Sequence, residues 1–172
     1  ENIDFAVQLF QEALRLDGEF ALAYAGLGEA YWQKYQITHD SAWVDAAISA
    51  GDHALALDPN QAQVHIALGI IYYGTGKIDN AVDELKRAIE LQPVIDDAYN
   101  WLGRCWQRKG DLDKAIDCFE KAIYLRPGYW ENYNRLGICY YFFGRYQDAA
   151  EQFRRVITIQ PDNYLGYNTL GG

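Results

Sequence analysis

A leucine followed by a glycine recurs along the chain with a constant step of 34 residues. The copies are Leu68-Gly69, Leu102-Gly103, Leu136-Gly137 and Leu170-Gly171. A constant step over four copies predicts one small structural unit that is stacked several times, each unit burying its apolar face against its neighbours. Stacked units present an extended surface, so the repeat favours a binding function over a pocket with a reaction centre.

Other residue types keep the same step. Each glycine is followed by an aromatic residue three positions on, a second glycine seven positions on, an alanine twelve positions on and a proline 24 positions on. These positions are Tyr72, Trp106 and Tyr140; Gly76, Gly110 and Gly144; Ala81, Ala115 and Ala149; and Pro93, Pro127 and Pro161. Apolar residues between them follow helical spacing. Each unit is therefore predicted to hold two closely packed helices, the first ending at the second glycine and the second ending before the proline.

This set of positions resembles the tetratricopeptide repeat (TPR), a helix–turn–helix motif of about 34 residues. The resemblance extends over nearly the whole chain. It implies an all-α fold, a right-handed superhelical TPR solenoid of antiparallel helix pairs, with the first helix of each pair lining the concave face. A narrower resemblance, carried by the run from Ala23 to Pro59, is to the TPR regions of bacterial serine/threonine kinases and signalling regulators.

The repeat divides the chain into six segments. Residues 1–20 match the second helix of a partial repeat, 21–61 a TPR with a seven-residue insertion, 62–95, 96–129 and 130–163 regular TPRs, and 164–172 the start of a truncated repeat. The insertion lies between Tyr31 and Ala47, because the step from Gly28 to Gly69 is 41 residues. It predicts either a first helix about two turns longer or a longer loop. Because the chain starts and stops inside units, we expect it to be a fragment of a longer protein.

Composition narrows the function classes. A formal net charge of −9 argues against nucleic acid or an anionic membrane as a partner. No apolar run of about 20 residues is present, so we expect that this segment does not span a membrane. An acidic surface is typical of cytoplasmic proteins, so we expect a cytoplasmic location. Cys105, Cys118 and Cys139 lack CxxC spacing and are predicted to fill the core rather than form disulfides or a zinc site. No set of residues suggests catalysis, so we predict no enzyme, no cofactor and no metal.

The candidate binding surface is the concave face that the resemblance assigns to the first helices. Three consecutive units carry an asparagine at the same place: Asn100, Asn134 and Asn168. Because a carboxamide offers both a donor and an acceptor, this row predicts a ladder that binds the backbone of an extended peptide. The alternative is that these asparagines belong to the repeat pattern and take no part in binding.

Charged and aromatic side chains flank the asparagine row. Arg104 and Arg108 are predicted to bind a carboxylate or an acidic side chain. Tyr73, Tyr141 and Phe142 are predicted to bind apolar side chains. Together these residues predict a non-catalytic protein-interaction scaffold that binds an extended peptide or a segment of a partner protein on the concave face.

Two other functions stay open. The first is head-to-tail self-association through uncapped apolar ends. Those ends are formed by Phe5, Val7, Leu9 and Phe10 on one side and by Tyr164, Tyr167 and Leu170 on the other. The second is a regulatory domain within a larger signalling enzyme.

Overall fold

The computed structural model describes residues 2–162, and this part of the chain is entirely helical apart from short turns. It forms nine helices: α1 (Asn2–Leu16), α2 (Ala21–Thr38), α3 (Ala42–Leu57), α4 (Ala62–Gly74), α5 (Ile78–Leu91), α6 (Asp96–Lys109), α7 (Leu112–Leu125), α8 (Trp130–Phe142) and α9 (Tyr146–Ile159). The prediction of an all-α fold is confirmed.

The helices fall into two compact units, one with α1 to α5 and the other with α6 to α9. In each unit consecutive helices form pairs: α2 with α3 and α4 with α5 in the first, α6 with α7 and α8 with α9 in the second. The first helices of neighbouring pairs also pack side by side, α2 on α4 and α6 on α8. Each unit therefore has a row of first helices, which forms one surface, and a row of second helices behind it.

A glycine lies where the two helices of each pair cross. A Cβ atom added to Gly103 would stand 2.8 Å from the ring of Phe119, and one added to Gly137 would stand 2.5 Å from the ring of Phe153. The same crossing recurs at Gly69 in α4. These separations are shorter than carbon atoms tolerate without displacement. Gly69, Gly103 and Gly137 are thus explained by the large side chain of the second helix that rests on each of them.

The insertion in the second segment lengthens a helix. α2 has 18 residues, whereas α4, α6 and α8 have 13 or 14. The added turns hold Lys34, whose Nζ lies 2.7 Å from Asp4 Oδ1 on α1 and 4.1 Å from the ring centroid of Trp43 on α3. Tyr31 stacks on the same Trp43 ring at 5.4 Å. The extra length of α2 therefore contacts both neighbouring helices.

One end of the chain differs from the sequence prediction. Val7 and Phe10, predicted to lie on a bare apolar end, pack inward on α2. The ring of Phe10 occupies the space next to Gly26, where a Cβ atom would stand 2.4 Å from the ring. Their exposure was predicted wrongly, because helical periodicity places positions 7 and 10 on the face that meets α2. Phe5 and Leu9 lie on another face and are exposed, as predicted.

The cysteines are free thiols in or near the core. Cys105 and Cys139 are fully buried, and Cys118 is half-buried. Burial raises the pKa of Cys105 and of Cys118 to about 12 and that of Cys139 to about 11. Because the thiolate is the reactive form, these three side chains behave as apolar packing groups rather than as nucleophiles.

Replacing Gly137 with alanine tests the crossing contact. We expect Gly137→Ala to lower the free energy of unfolding by about 1–3 kcal/mol, because the new methyl group overlaps the buried ring of Phe153. The matched control is Gly128→Ala, whose Cβ would meet no atom within 4 Å. Urea denaturation of both variants gives the comparison. Equal stability of the two variants would contradict the role assigned to the crossing glycine.

The thiols offer a second test. At pH 8 the native protein is expected to react with a thiol-specific reagent far more slowly than the urea-unfolded chain. The expected ratio is roughly a thousandfold for Cys105, whose pKa rises from 9.0 to about 12. Stopped-flow labelling with a chromogenic disulfide measures both rates. Similar rates in the native and unfolded protein would show that the thiols are accessible and ionised.

Candidate peptide-binding surface

The predicted site residues fall mainly on the first helices of the second unit. The structure places six of the eight there: Asn100, Arg104 and Arg108 on α6, and Asn134, Tyr141 and Phe142 on α8. Steps of four residues put the three residues of α6 on one face of the helix, and the step of seven puts Asn134 and Tyr141 on one face of α8, with Phe142 beside them. Tyr73 lies on α4 in the first unit and is half-buried. Asn168 lies outside the described residues.

Asn100 is an interior residue rather than an exposed one. Only 7% of it is accessible, and its Nδ2 donates a hydrogen bond of 2.8 Å to Oδ1 of Asn132 on α8. Asn132 in turn donates from Nδ2 to the carbonyl oxygen of Ala122 at 3.2 Å and to Oδ2 of Asp96 at 3.4 Å. The donor of Asn100 is thus used to hold α6 against α8.

Asn132 is a structural residue that the sequence analysis missed. It is only 1% exposed, and it connects α6, α7 and α8 through its side-chain amide. The corresponding positions one and two repeats earlier are Ala98 and Val64, both fully buried. The sequence signal that could have identified Asn132 is an asparagine at a repeat position that is otherwise apolar.

Asn134 has a different environment from its counterpart Asn100. It is 8% exposed, and its Oδ1 is buried without a hydrogen-bond partner. The residue one repeat after Asn132 is Gly166, which has no side-chain amide. A buried acceptor without a donor costs about 1–3 kcal/mol, so a hydrogen bond to the Oδ1 of Asn134 would be favourable.

A charged cluster surrounds the beginning of α8. Glu131 accepts hydrogen bonds from the hydroxyl of Tyr129 and from Nη2 of Arg135, both at 2.8 Å. Burial acts to raise the pKa of Glu131, but these two hydrogen bonds and the charge of Arg104 outweigh it, so the pKa lies below its ordinary value. Arg104 also stacks on Trp101, with its guanidinium carbon 3.6 Å from a ring centroid. The positive charges of Arg104 and Arg135 are thus compensated by the partly buried carboxylate of Glu131.

The beginning of α6 carries a second carboxylate, one repeat before Glu131. Partial burial raises the pKa of Asp97, and repulsion from Asp96 and Glu131 adds to the rise, although Arg126 opposes it. The raised pKa thus follows mainly from burial of the Asp97 carboxyl. The starts of α6 and α8 therefore form an acidic margin of this surface.

Three exposed aromatic rings lie in contact where α8 ends and α9 begins. Tyr141, Phe142 and Tyr146 are 53%, 72% and 63% accessible. The ring of Tyr141 meets that of Phe142 edge-on at 6.2 Å and that of Tyr146 at 5.5 Å. We call these three residues the α8 aromatic cluster. The corresponding residues one repeat earlier are Gln107, Arg108 and Leu112.

Comparison with known proteins decides the family. Sequence models of the tetratricopeptide repeat match residues 62–93 and 95–162, which together make up more than half of the chain. The chain belongs to the tetratricopeptide repeat family. None of the curated protein sequences compared with it matches.

Solved TPR structures resemble this TPR chain over nearly its whole length. MamA is 27% identical with a TM-score of 0.70, covering 95% of this chain and 91% of MamA. YrrB, described as a TPR protein with an unusual peptide-binding site, is 25% identical with a TM-score of 0.71, covering 99% and 84%. A thermophilic TPR protein of Thermus thermophilus is 20% identical with a TM-score of 0.86, covering 98% and 89%, and shows the fold alone. The predicted TPR fold is confirmed, and the resemblance to kinase and signalling proteins stays a prediction.

Two further properties of the TPR chain concern metals and membranes. Across residues 2–162 no three side chains of histidine, cysteine, aspartate or glutamate are grouped so that they could hold a metal ion. None of the helices in that range combines the length and apolar character needed to cross a membrane.

Replacing Asn132 tests the buried amide network. Asn132→Ala is expected to lower the free energy of unfolding by about 1–3 kcal/mol, because it leaves the Nδ2 of Asn100 buried without its acceptor. The double variant Asn100→Ala with Asn132→Ala should lose less than the sum of the two single losses. Urea denaturation of the four proteins gives the coupling energy. Strictly additive losses would contradict a direct interaction between the two amides.

Proposed function

We propose that this TPR chain is a non-catalytic scaffold that binds an extended peptide or a segment of a partner protein on its first-helix face, the concave face in the sequence analysis. The observation that carries the proposal is the α8 aromatic cluster, three contacting aromatic rings exposed on this face and at its margin. Membership of the TPR family and the likeness to YrrB, described as having an unusual peptide-binding site, support it.

The aromatic cluster supplies the anchor for an apolar side chain. Exposed aromatic rings contribute large areas to an interface, and burial of apolar surface is worth about 25 cal/mol per Å². Residues of this kind dominate binding energy when a partner covers them. Tyr141 and Phe142 keep the role that the sequence analysis gave them, and Tyr146 joins them. Tyr73, in the other unit, stays a prediction.

The acidic margin and the aromatic cluster define the length of the bound segment. Glu131 and Tyr141 are ten residues apart on α8, so the helix separates them by about 15 Å. An extended chain covers that distance in about five residues. The partner segment therefore has an apolar residue at one end and a positively charged or hydrogen-bond-donating residue about five positions away.

The asparagines divide into two roles in this proposal. Asn134 accepts a backbone N–H of the bound segment through its unpaired Oδ1, which is buried in this structure, so binding requires the side chain to turn toward the bound segment. Asn100 acts indirectly, because its bond to Asn132 fixes the spacing of α6 and α8. Arg108, exposed near the end of α6, is placed to meet an acidic side chain next to the apolar anchor, while Arg104 is stacked on Trp101. A role for Asn168 stays a prediction.

The other functions from the sequence analysis also stay predictions. Head-to-tail association requires an apolar surface at Tyr164, Tyr167 and Leu170, which lie outside the described residues. The regulatory role within a larger enzyme, the cytoplasmic location and the exclusion of nucleic acid likewise stay predictions.

Peptide selection tests the proposed function. A phage-displayed library of random 12-residue peptides is selected on the wild-type protein, and the affinity of selected peptides is measured by fluorescence anisotropy. Phe142→Ser and Tyr141→Ser are each expected to weaken binding by about tenfold or more, equivalent to about 1.4 kcal/mol, because the apolar anchor is lost. Asn134→Ala should weaken it to a smaller extent.

The matched control is Tyr124→Ser. Tyr124 is 76% exposed in the same unit but lies on a second helix, α7, so its replacement should leave affinity unchanged. Failure to select any peptide, or an equal loss of affinity in Tyr124→Ser and Phe142→Ser, would contradict the proposed face. Unchanged affinity in Asn134→Ala would remove the backbone contact while leaving the aromatic anchor in place.

A further inference from the structure

A buried histidine and a glutamate lie in direct contact between the two helices of one pair in the first unit. His65 on α4 is only 5% accessible, and its Nδ1 lies 2.6 Å from Oε2 of Glu84 on α5. Its other ring nitrogen, Nε2, lies 2.9 Å from the carbonyl oxygen of Pro59, in the turn that precedes α4. The imidazole ring therefore joins α4 to α5 and to the turn between α3 and α4.

Both members of this contact are particular to one repeat. One and two repeats later, the positions of His65 and Glu84 hold Tyr99 with Cys118 and Tyr133 with Gln152. The hydroxyl of Tyr133 donates a hydrogen bond of 3.1 Å to the carbonyl oxygen of Pro127, the counterpart of Pro59. The bond to the turn thus recurs with a different residue type, whereas the histidine and the carboxylate occur together in this helix pair.

The partners of the ring determine where its hydrogen atoms lie. A carbonyl oxygen can only accept, so Nε2 of His65 carries a hydrogen and donates it to Pro59. Nδ1 then faces Oε2 of Glu84 at 2.6 Å, where two lone pairs would repel each other, so one hydrogen lies between these atoms. It belongs either to an imidazolium facing a carboxylate or to a carboxylic acid facing a neutral imidazole. Both forms hold the same number of protons, and in both the pair has no net charge.

A second carboxylate lies close to this pair. Burial raises the pKa of Tyr72, two turns after His65 on α4, and the charges of Asp52 on α3 and of Glu84 add to the rise. Both carboxylates are therefore near the Tyr72 hydroxyl. Nζ of Lys77 lies over the ring of Tyr72, 5.7 Å from its centroid. The surroundings of the pair on α3 and α4 thus contain a carboxylate, a phenol and one lysine.

The charged groups on α5 and in the turn have partners of their own. Arg87, one turn after Glu84, forms an ion pair of 3.0 Å with Glu90. Asp58 accepts a hydrogen bond of 3.0 Å from the backbone N–H of Asn60. Within the part of the chain that the structure describes, the ion-pair partner of Glu84 is His65. The shared proton is therefore what balances the negative charge of the Glu84 carboxylate.

We propose that this shared proton makes the contact between α4, α5 and the preceding turn sensitive to pH, closed while the proton is held and open once it is released. Release leaves a lone pair of His65 opposite a carboxylate, and one uncompensated negative charge in a mostly buried site. Such a charge is costly away from water. The side chain of Glu84 is 22% accessible, so it can turn outward to solvent. The first unit thus loosens between α4 and α5 as the pH rises.

The direction of the pH dependence follows from the number of protons bound. In an unfolded chain a histidine releases its proton at about pH 6.5 and a glutamate at about pH 4.3. Between these values the unfolded residues hold one proton, as the folded pair does, so the pair adds no pH dependence. Above that range the folded pair holds one proton more than the unfolded residues. The unfolding equilibrium constant then rises about tenfold per pH unit, until the folded pair also releases its proton.

Urea denaturation over a range of pH tests the proposal on the wild type and Glu84→Gln. The glutamine has the same length, and its amide donates a hydrogen bond to Nδ1 of His65 without a shared proton. Relative to this variant, the unfolding constant of the wild type is expected to rise about tenfold per pH unit above about pH 6.5. Other titrating groups are common to both proteins and cancel. Parallel pH profiles would overturn the proposal.

Two further variants keep the result interpretable. Glu90→Gln is the matched control, because it removes a carboxylate of α5 that is 64% accessible, and it should keep the pH dependence of the wild type. His65→Tyr combined with Glu84→Gln copies the residues Tyr133 and Gln152 of a later repeat, and it should lack that dependence even where Glu84→Gln alone folds poorly. The opposite result in either variant would assign the pH dependence to other groups.

Nitrogen NMR of the histidine rings locates the proton directly. The chemical shifts of the two ring nitrogens of His65 are expected to stay constant through the pH range in which exposed histidines titrate. A change there that matches the change in a short unfolded peptide would show that the pair holds no shared proton. Glu84 lies in the first unit, so Glu84→Gln should bind peptides on α6 and α8 as the wild type does. Failure of either proposal therefore leaves the other standing.

Discussion

The contact between a glycine backbone and a large side chain of the paired helix sets the distance between the two helices in the pairs α4–α5, α6–α7 and α8–α9. In the second unit Gly103 receives the ring of Phe119, and Gly137 receives that of Phe153. Glycine within a helix costs about 1 kcal/mol relative to alanine, and the chain accepts this cost in every pair because close packing returns more. With the pair distance fixed, the next first helix can rest on both members of the preceding pair.

A buried polar network adds to this apolar packing between α6 and α8. Asn132 replaces an apolar residue of the repeat and connects Asn100, Ala122 and Asp96. A buried amide is costly unless its hydrogen bonds are made, so this network favours the observed register of α8 on α6 over others. The open acceptor of Asn134, two residues further along α8, shows the contrast. One asparagine of the row is committed to the fold, and the next has an unfilled hydrogen-bonding capacity.

Helical periodicity and the 34-residue step were sufficient to predict stacked helix pairs, because both reflect contacts that recur in every unit, and the resemblance of the repeated positions to the TPR motif added the family's fold. Periodicity assigns a residue to a face but does not give its depth, so Asn100 was expected on an open surface and lies in the interior. Phe10 is accommodated because the small Gly26 lies opposite its ring. The insertion left helix and loop as alternatives, since seven residues suit either one. The α8 aromatic cluster was predicted in part, because Tyr146 belongs to the following helix and joins only through the turn.

The extra length of α2 has a consequence for how α1 is held in the structure. Stability in stacked repeats is approximately the sum of local terms and nearest-neighbour couplings, so a helix with one neighbour depends on a single coupling. Among the described helices, α1 packs mainly on α2 and is such an element. The extra turns of α2 strengthen that one coupling through Lys34 and Asp4, a contact that dissolved salt screens. Ionic strength therefore acts selectively on the fraying of α1, and amide exchange there should respond to salt while that of the interior helices does not.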